Sequence, residues 1–133
     1  MFETKLLQAE PTVTAPDGSA VRILVGLSGG TAAHFELGPG QVAVAVRHRT
    51  VDELWYVVQG RGRMWRRLDG HEEVVDLGPG VALSLPVGTE FQFRSTSGEP
   101  LAAVAVTMPP WPGAGEAVLV EGPWTPTVDP GPH

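Results

Sequence analysis

The sequence predicts an all-β fold, a double-sheet jelly-roll barrel of the double-stranded β-helix type. Three observations carry this reading. Short stretches rich in β-branched and aromatic residues alternate with turn signals at regular spacing. Glycine (17) and proline (13) are abundant and spread along the chain, as many tight turns require. No stretch shows the 3.6-residue period of an amphipathic helix.

Residues 1–20 show little periodicity beyond the turn signal Asp17-Gly18, and read as an N-terminal arm or edge strand. Val21–Leu27 is a strand closed by Ser28-Gly29-Gly30. Thr31–Leu37 is the next, with His34 and Glu36 on one face and Phe35 and Leu37 on the other. Gly38-Pro39-Gly40 turns the chain into Gln41–His48, a Val/Ala-rich stretch suited to a strand buried on both faces. Glu53–Gln59 is the strongest strand signal. Gly60-Arg61-Gly62 leads into Arg63–Leu68, and Asp69-Gly70 returns the chain as Glu72–Leu77 in a hairpin. The tetrapeptide LGPG occurs at 37–40 and again at 77–80, and marks two similar hairpin entries in one sheet system. Val81–Leu85 is a short apolar strand stopped by Pro86. Phe91–Arg94 alternates, with Phe91 and Phe93 one way and Gln92 and Arg94 the other. Leu101–Met108 completes a barrel spanning 21–108. Residues 109–133 are Pro/Gly-rich and read as a tail, with Trp111 and Trp124 anchoring it on the barrel or on a partner subunit.

Composition narrows the function classes. A formal net charge of −6 argues against nucleic acid as a partner. The cluster Arg61, Arg63, Arg66 and Arg67 is followed by Asp69, Glu72, Glu73 and Asp76, so a solvated hairpin of mixed charge is expected. The chain has no cysteine, which removes disulfides, zinc–thiolate sites and thiol nucleophiles. The start, MFETKLLQAEPTV, is polar and interrupted, unlike a secretory signal. No apolar run is long enough to cross a bilayer. A cytoplasmic protein is the expectation. No P-loop, dinucleotide fingerprint or nucleophile elbow is present.

The chemistry-bearing residues concentrate in RHRTVDELWYVVQG, residues 47–60. Pro39-Gly40, His48, Glu53 and Gly60 stand at the spacing of one motif, and Gly80, Pro86 and Gly88 at that of a second. On these residues the chain resembles the cupin superfamily from about Thr31 to Met108. The resemblance implies the jelly-roll barrel, with the glycines and prolines as its scaffold. Metal-binding cupins typically use a set of histidines and a glutamate around iron, manganese, nickel, zinc or copper. Only His48 and Glu53 of that set stand here. Val46 occupies the earlier histidine position, Phe91 the later one, and Ser95 the asparagine position.

Val46 and Phe91 cannot donate to a metal, so no metal ligand set is assigned. Two protein ligands are fewer than divalent ions usually take. If the hairpin turns at Pro39, His34 pairs near Val44, and His34, His48 and Glu53 would approximate a two-histidine, one-carboxylate site for zinc, iron, manganese or nickel. Without metal, His48 and Glu53 are expected as an acid–base dyad, with the Glu53 pKa raised by an apolar barrel. Phe91 would make the pocket floor apolar and flat, and His34, Val46 and Phe91 are the expected substrate contacts. The leading expectation is a small-molecule-binding cupin that catalyses proton transfer on a small carbonyl compound, by isomerisation, epimerisation or cyclisation. In chemistry this resembles cupin polyketide cyclases and sugar isomerases. Two alternatives are a non-catalytic binding or sensing module, and a metal-dependent oxygenase or lyase using His34, His48 and Glu53. A homodimer is expected, because exposed strands need covering.

Overall fold

The computed structural model describes residues 1–133. It contains no helix and eleven strands: β1 (Val13–Thr14), β2 (Ala20–Leu27), β3 (Gly30–Leu37), β4 (Val46–His48), β5 (Asp52–Gln59), β6 (Gly62–Leu68), β7 (His71–Leu77), β8 (Ala82–Leu85), β9 (Glu90–Ser95), β10 (Leu101–Met108) and β11 (Ala117–Leu119). They form two antiparallel sheets. Sheet A has the order β1-β2-β3-β10-β5-β8, and sheet B the order β11-β4-β9-β6-β7. This is the all-β jelly roll predicted from the turn spacing.

Period-two alternation builds the core between the sheets. On β5, Glu53, Trp55 and Val57 are buried while Leu54, Tyr56 and Val58 face out. Trp55 stacks on Phe35 at 5.9 Å and meets Phe93 edge-on at 4.8 Å, so aromatic rings from β3, β5 and β9 close the barrel interior. The β6–β7 hairpin turns on Asp69 (φ 51°) and Gly70 (φ 79°), the left-handed pair that a two-residue turn demands. Its arginines face acids: Arg63 lies 3.4 Å from Asp76, Arg66 2.5 Å from Glu73 and Arg67 3.1 Å from Glu90.

Two readings are corrected. The LGPG copies form the same turn, with Gln41 N donating to Gly38 O at 3.1 Å and Val81 N to Gly78 O at 3.0 Å. Both turns carry the chain from one sheet to the other, β3 toward β4 and β7 to β8, rather than opening hairpins within one sheet. The second correction concerns Gln41–His48, where only Val46–His48 is strand. Residues 41–43 still touch β9, with Val42 opposite Arg94 and Ala43 N donating to Phe93 O at 3.0 Å, but other backbone groups of this stretch are bound outside β9. Thr127 Oγ1 accepts from Val42 N at 2.8 Å, Asp17 O accepts from Val44 N at 2.8 Å, and Ala45 O accepts from Val120 N at 3.1 Å. The tail and the Asp17 turn thus take part of the bonds that a longer, continuous β4 would have used.

The tail is integral to the barrel. β11 pairs with β4, Ala117 opposite His48. Further on, Gln92 Nε2 donates to Trp124 O at 2.8 Å and Gln92 Oε1 accepts from Trp124 N at 3.1 Å. Arg94 lies over the Trp124 ring at 5.5 Å.

Candidate functional site

β4 and β5 are joined by Arg49–Val51, so His48 and Glu53 sit at the near ends of strands in opposite sheets. The His48 Nδ1 lies 3.3 Å from Glu53 Oε1. Trp55, two residues along β5 on the same face, donates from Nε1 to Glu53 Oε2 at 2.5 Å. One carboxylate oxygen is therefore fixed by the indole and the other faces the imidazole. The His48 ring is held edge-on between Phe91 at 5.2 Å and Trp111 at 5.0 Å. Both members of the pair are buried.

Their environment shifts them in opposite directions. Burial pushes the Glu53 carboxyl up to about 8; the Trp55 hydrogen bond pulls it back in part, and the nearby Asp17 pushes it up. Burial pushes the His48 imidazole down to about 4, with Glu116 opposing. At neutral pH the pair is thus an un-ionised acid beside an un-ionised imidazole. Because Trp55 donates to Oε2, the acid proton is best placed on Oε1, directed at Nδ1, which leaves Nε2–H as the imidazole's free donor.

The pair lines a cavity of about 180 Å³. Val46 and Phe91, the two positions that lack a metal-donor side chain, are cross-strand partners in its wall. Four of the five residues singled out in the sequence, Val46, His48, Glu53 and Phe91, therefore share one cavity. His34 does not. Its neighbours Ala33 and Phe35 face the cavity, and alternation puts His34 on the outer face of sheet A, between Arg22 on β2 and Val104 on β10. The pairing with Val44 fails because β3 turns back onto β2, and the following turn crosses to the other sheet. His34 is buried there, its Nδ1 without a partner, and burial and Arg22 lower its pKa against the pull of Glu36. Glu36 itself pairs with Arg22 at 2.9 Å.

The cavity also contains residues that the sequence reading passed over. Trp111, read as a tail anchor, forms part of its wall, as does His133. Trp111 N donates to Thr31 Oγ1 at 3.1 Å, Thr31 Oγ1 is 3.0 Å from Thr107 Oγ1, and Trp111 Nε1 donates to His133 O at 3.1 Å. Asp17, read only as a turn residue, is buried at the cavity, and its Oδ1 accepts from Ser19 N at 2.9 Å and Ser19 Oγ at 2.6 Å. Burial raises its pKa, with the Ser19 bonds opposing. The Asp-x-Ser spacing is the signal that marks such a turn. Glu116 binds the β4–β5 connection: it accepts from Thr50 N at 2.7 Å, from the Thr50 hydroxyl and from Val51 N at 3.3 Å.

The donor set does not fit a resident divalent metal. The oxygens and Nδ1 of the Glu53–His48 pair are engaged with Trp55 and with each other. No group of three or more His, Asp or Glu side chains gathers in metal-holding geometry. The trio His34, His48 and Glu53 is split across a sheet.

A jelly roll with an inward-facing His–Glu pair at the strand ends defines a small β-barrel with a candidate site in the barrel mouth. The Cupin domain model matches residues 33–107, and the chain belongs to the cupin family. No curated protein sequence matches it. Among solved structures it is similar to the oxalate decarboxylase of Bacillus subtilis at pH 4.6, with TM-score 0.68 and 18% identity over 81% of this chain and 29% of that one. A structure describing the substrate binding mode and reaction-specificity switch of oxalate decarboxylase gives TM-score 0.68 and 20% identity over 84% and 30%. One solved to assign EPR parameters of the Mn(II) centres in the B. subtilis enzyme gives the same values, 0.68, 20%, 84% and 30%. The chain therefore spans less than a third of these neighbours. No helix is long and apolar enough to cross a membrane.

Proposed function

We propose that this cupin binds a small carbonyl compound in the barrel mouth and transfers protons to and from its oxygen through the His48–Glu53 pair. The observation that carries the reading is the 3.3 Å contact between two buried titratable groups in a largely apolar cavity. Buried, un-ionised acid and imidazole side by side is how protein sites place acid–base groups for use near neutral pH. A carbonyl oxygen at Nε2 receives that nitrogen's proton while the Glu53 Oε1 proton passes to Nδ1. The imidazole stays neutral and Glu53 becomes the carboxylate that Trp55 stabilises. The reverse step returns the proton. The α-carbon proton passes to solvent water at the open barrel mouth as the enol forms, and reketonisation reverses both transfers, which supports isomerisation, epimerisation or cyclisation. The chain's own residues supply the proton positions at the carbonyl oxygen. Oxalate, in the name of the structural neighbours, suits this cavity poorly, because no cationic side chain lines it.

The experiment is hydrogen–deuterium exchange at the α-carbon of cyclohexanone in D₂O, followed by proton NMR. The protein is expected to accelerate exchange, and His48→Ala and Glu53→Gln to return it to the background rate while still binding the ketone. Binding without acceleration by the unmodified protein would favour the non-catalytic binding module. We also propose a homodimer located in the cytoplasm; the apolar outer face of sheet A, where Leu54, Tyr56 and Val58 are exposed, supports the dimer.

A further inference from the structure

We infer that the cavity selects an uncharged, single-ring ligand and rejects anions of the same shape. The inference rests on the proposed reading of this cavity as the ligand site, and adds the ligand's charge and size. The lining sets the charge preference. No lysine or arginine side chain reaches the cavity, although the chain has nine. Its ionisable groups are Asp17, Glu53, His48 and His133. Two of these are carboxyls, each buried. A carboxylate or phosphate entering here would lose its hydration with no cation to replace it, and it would meet Glu53 or Asp17. An uncharged carbonyl or hydroxyl loses far less, and finds the His48–Glu53 pair as a hydrogen-bonding partner.

The walls set the size and shape. A volume of about 180 Å³ is slightly above the ~150 Å³ of an apolar protein cavity that accepts benzene. One six-membered ring with a few substituents fills it, and a two-ring compound or a sugar nucleotide does not fit. Phe35, Phe91 and Trp111 supply flat aromatic walls, and Val21, Ile23 and Val46 complete an apolar surround. Polar groups that are not backbone cluster at His48–Glu53, at Asp17, at the Thr31–Thr107 hydroxyl pair and at His133. A ring carrying one oxygen function can set that oxygen at the dyad and lay its apolar body against the aromatic side chains.

Benzamide and benzoate have nearly the same shape and differ in charge, so they test the inference directly. Titration calorimetry at neutral pH is expected to show saturable binding of benzamide and cyclohexanone, and benzoate at least about tenfold weaker. Chemical-shift changes on binding should centre on His48, Phe91 and Trp111. Benzoate should gain affinity as pH falls and its acid form appears, while benzamide should not. Equal or tighter binding of benzoate at neutral pH overturns the inference, and so does the absence of saturable binding by either neutral ring. Ala33→Leu, which narrows the cavity from sheet A, separates this from failure of the underlying reading. If neutral rings still bind the folded variant as before, with no shifts at His48, the cavity is not the ligand site. If binding is lost in the variant but the unmodified protein favours benzoate, only the charge selection falls.

Discussion

Burial acts on His48 and Glu53 in opposite directions, and together they set a pH window for stability. Glu53 shifts from 4.5 to about 8 on folding. Its contribution is therefore fully present below 4.5 and is lost as pH rises toward 8. His48 shifts from 6.5 to about 4. Its contribution is present above 6.5 and is lost as pH falls toward 4. Between 4.5 and 6.5 the two slopes offset, so the pair gives a plateau followed by a decline from 6.5 to 8. That decline spans one and a half pH units, or about 2 kcal/mol. Urea unfolding of the unmodified protein should show it, and Glu53→Gln should abolish it. An unchanged decline in the variant would place the carboxyl in a more polar setting than its contacts imply. At this scale the sequence was informative about identity and silent about state. His48, Glu53, Val46 and Phe91 stood out by spacing, and they share the cavity. The charge of the pair depends on burial and on the Trp55 indole, which no spacing reports. His34 misled because its strand partner, and hence its face, is settled by which strand β3 meets.

Elements position that pair through a connection held from outside. Arg49–Val51 links β4 to β5, and its geometry decides whether His48 and Glu53 meet. The Glu116 carboxylate, just before β11, takes the amides of Thr50 and Val51 and the Thr50 hydroxyl. Burial pushes its pKa up, but these bonds, with Arg49, together hold it below the usual carboxylate value. Glu116→Ala leaves the exposed Thr50 amide to water and the buried Val51 amide unpaired, and should destabilise the protein by about 1–2 kcal/mol. Glu116→Gln should recover part of that. In the Ala variant the His48 ring signals should also broaden or shift as the connection loosens. A destabilisation below about 0.5 kcal/mol, typical of an unremarkable surface site, would show that the connection holds itself. The strands and most turns were legible in the sequence, because alternation and Gly/Pro punctuation are local. The shortening of β4 was not. It follows from Thr127, Asp17 and Val120 taking backbone groups of residues 42–45, and long-range competition of that kind leaves no local trace.

Of the molecule's four sheet edges, β1, β8, β11 and β7, the β7 and β8 edges are unlike, and an apolar face lies beside β8. The β7 edge of sheet B carries Glu72, Glu73 and Asp76, and charges of this kind discourage edge pairing. The β8 edge of sheet A reads ALSL and carries none. Beside it, Leu54 and Tyr56 on β5 align across the sheet with Val106 and Val104 on β10 and with Ser84 and Ala82 on β8. Leu54 is 49% exposed, Tyr56 53% and Val58 43%. One carbonyl of that edge, Ser84 O, accepts from Arg66 Nη1 at 2.9 Å, but a contiguous apolar surface beside an edge strand with no charge of its own is the pattern of a protein interface rather than of scattered surface hydrophobics. A second copy approaching about a two-fold axis would bring the same surface against itself, as an isologous contact requires. The barrel mouth lies between the sheets, on the inner side of sheet A, so such a dimer would leave the cavity accessible. Light scattering is expected to give twice the chain mass, and Tyr56→Glu, placing a charge at the centre of the patch, is expected to shift the protein toward monomer without loss of benzamide binding. A monomer at high concentration would refute the dimer. A Tyr56→Glu dimer as tight as the unmodified one would mean that the subunits meet through some other surface.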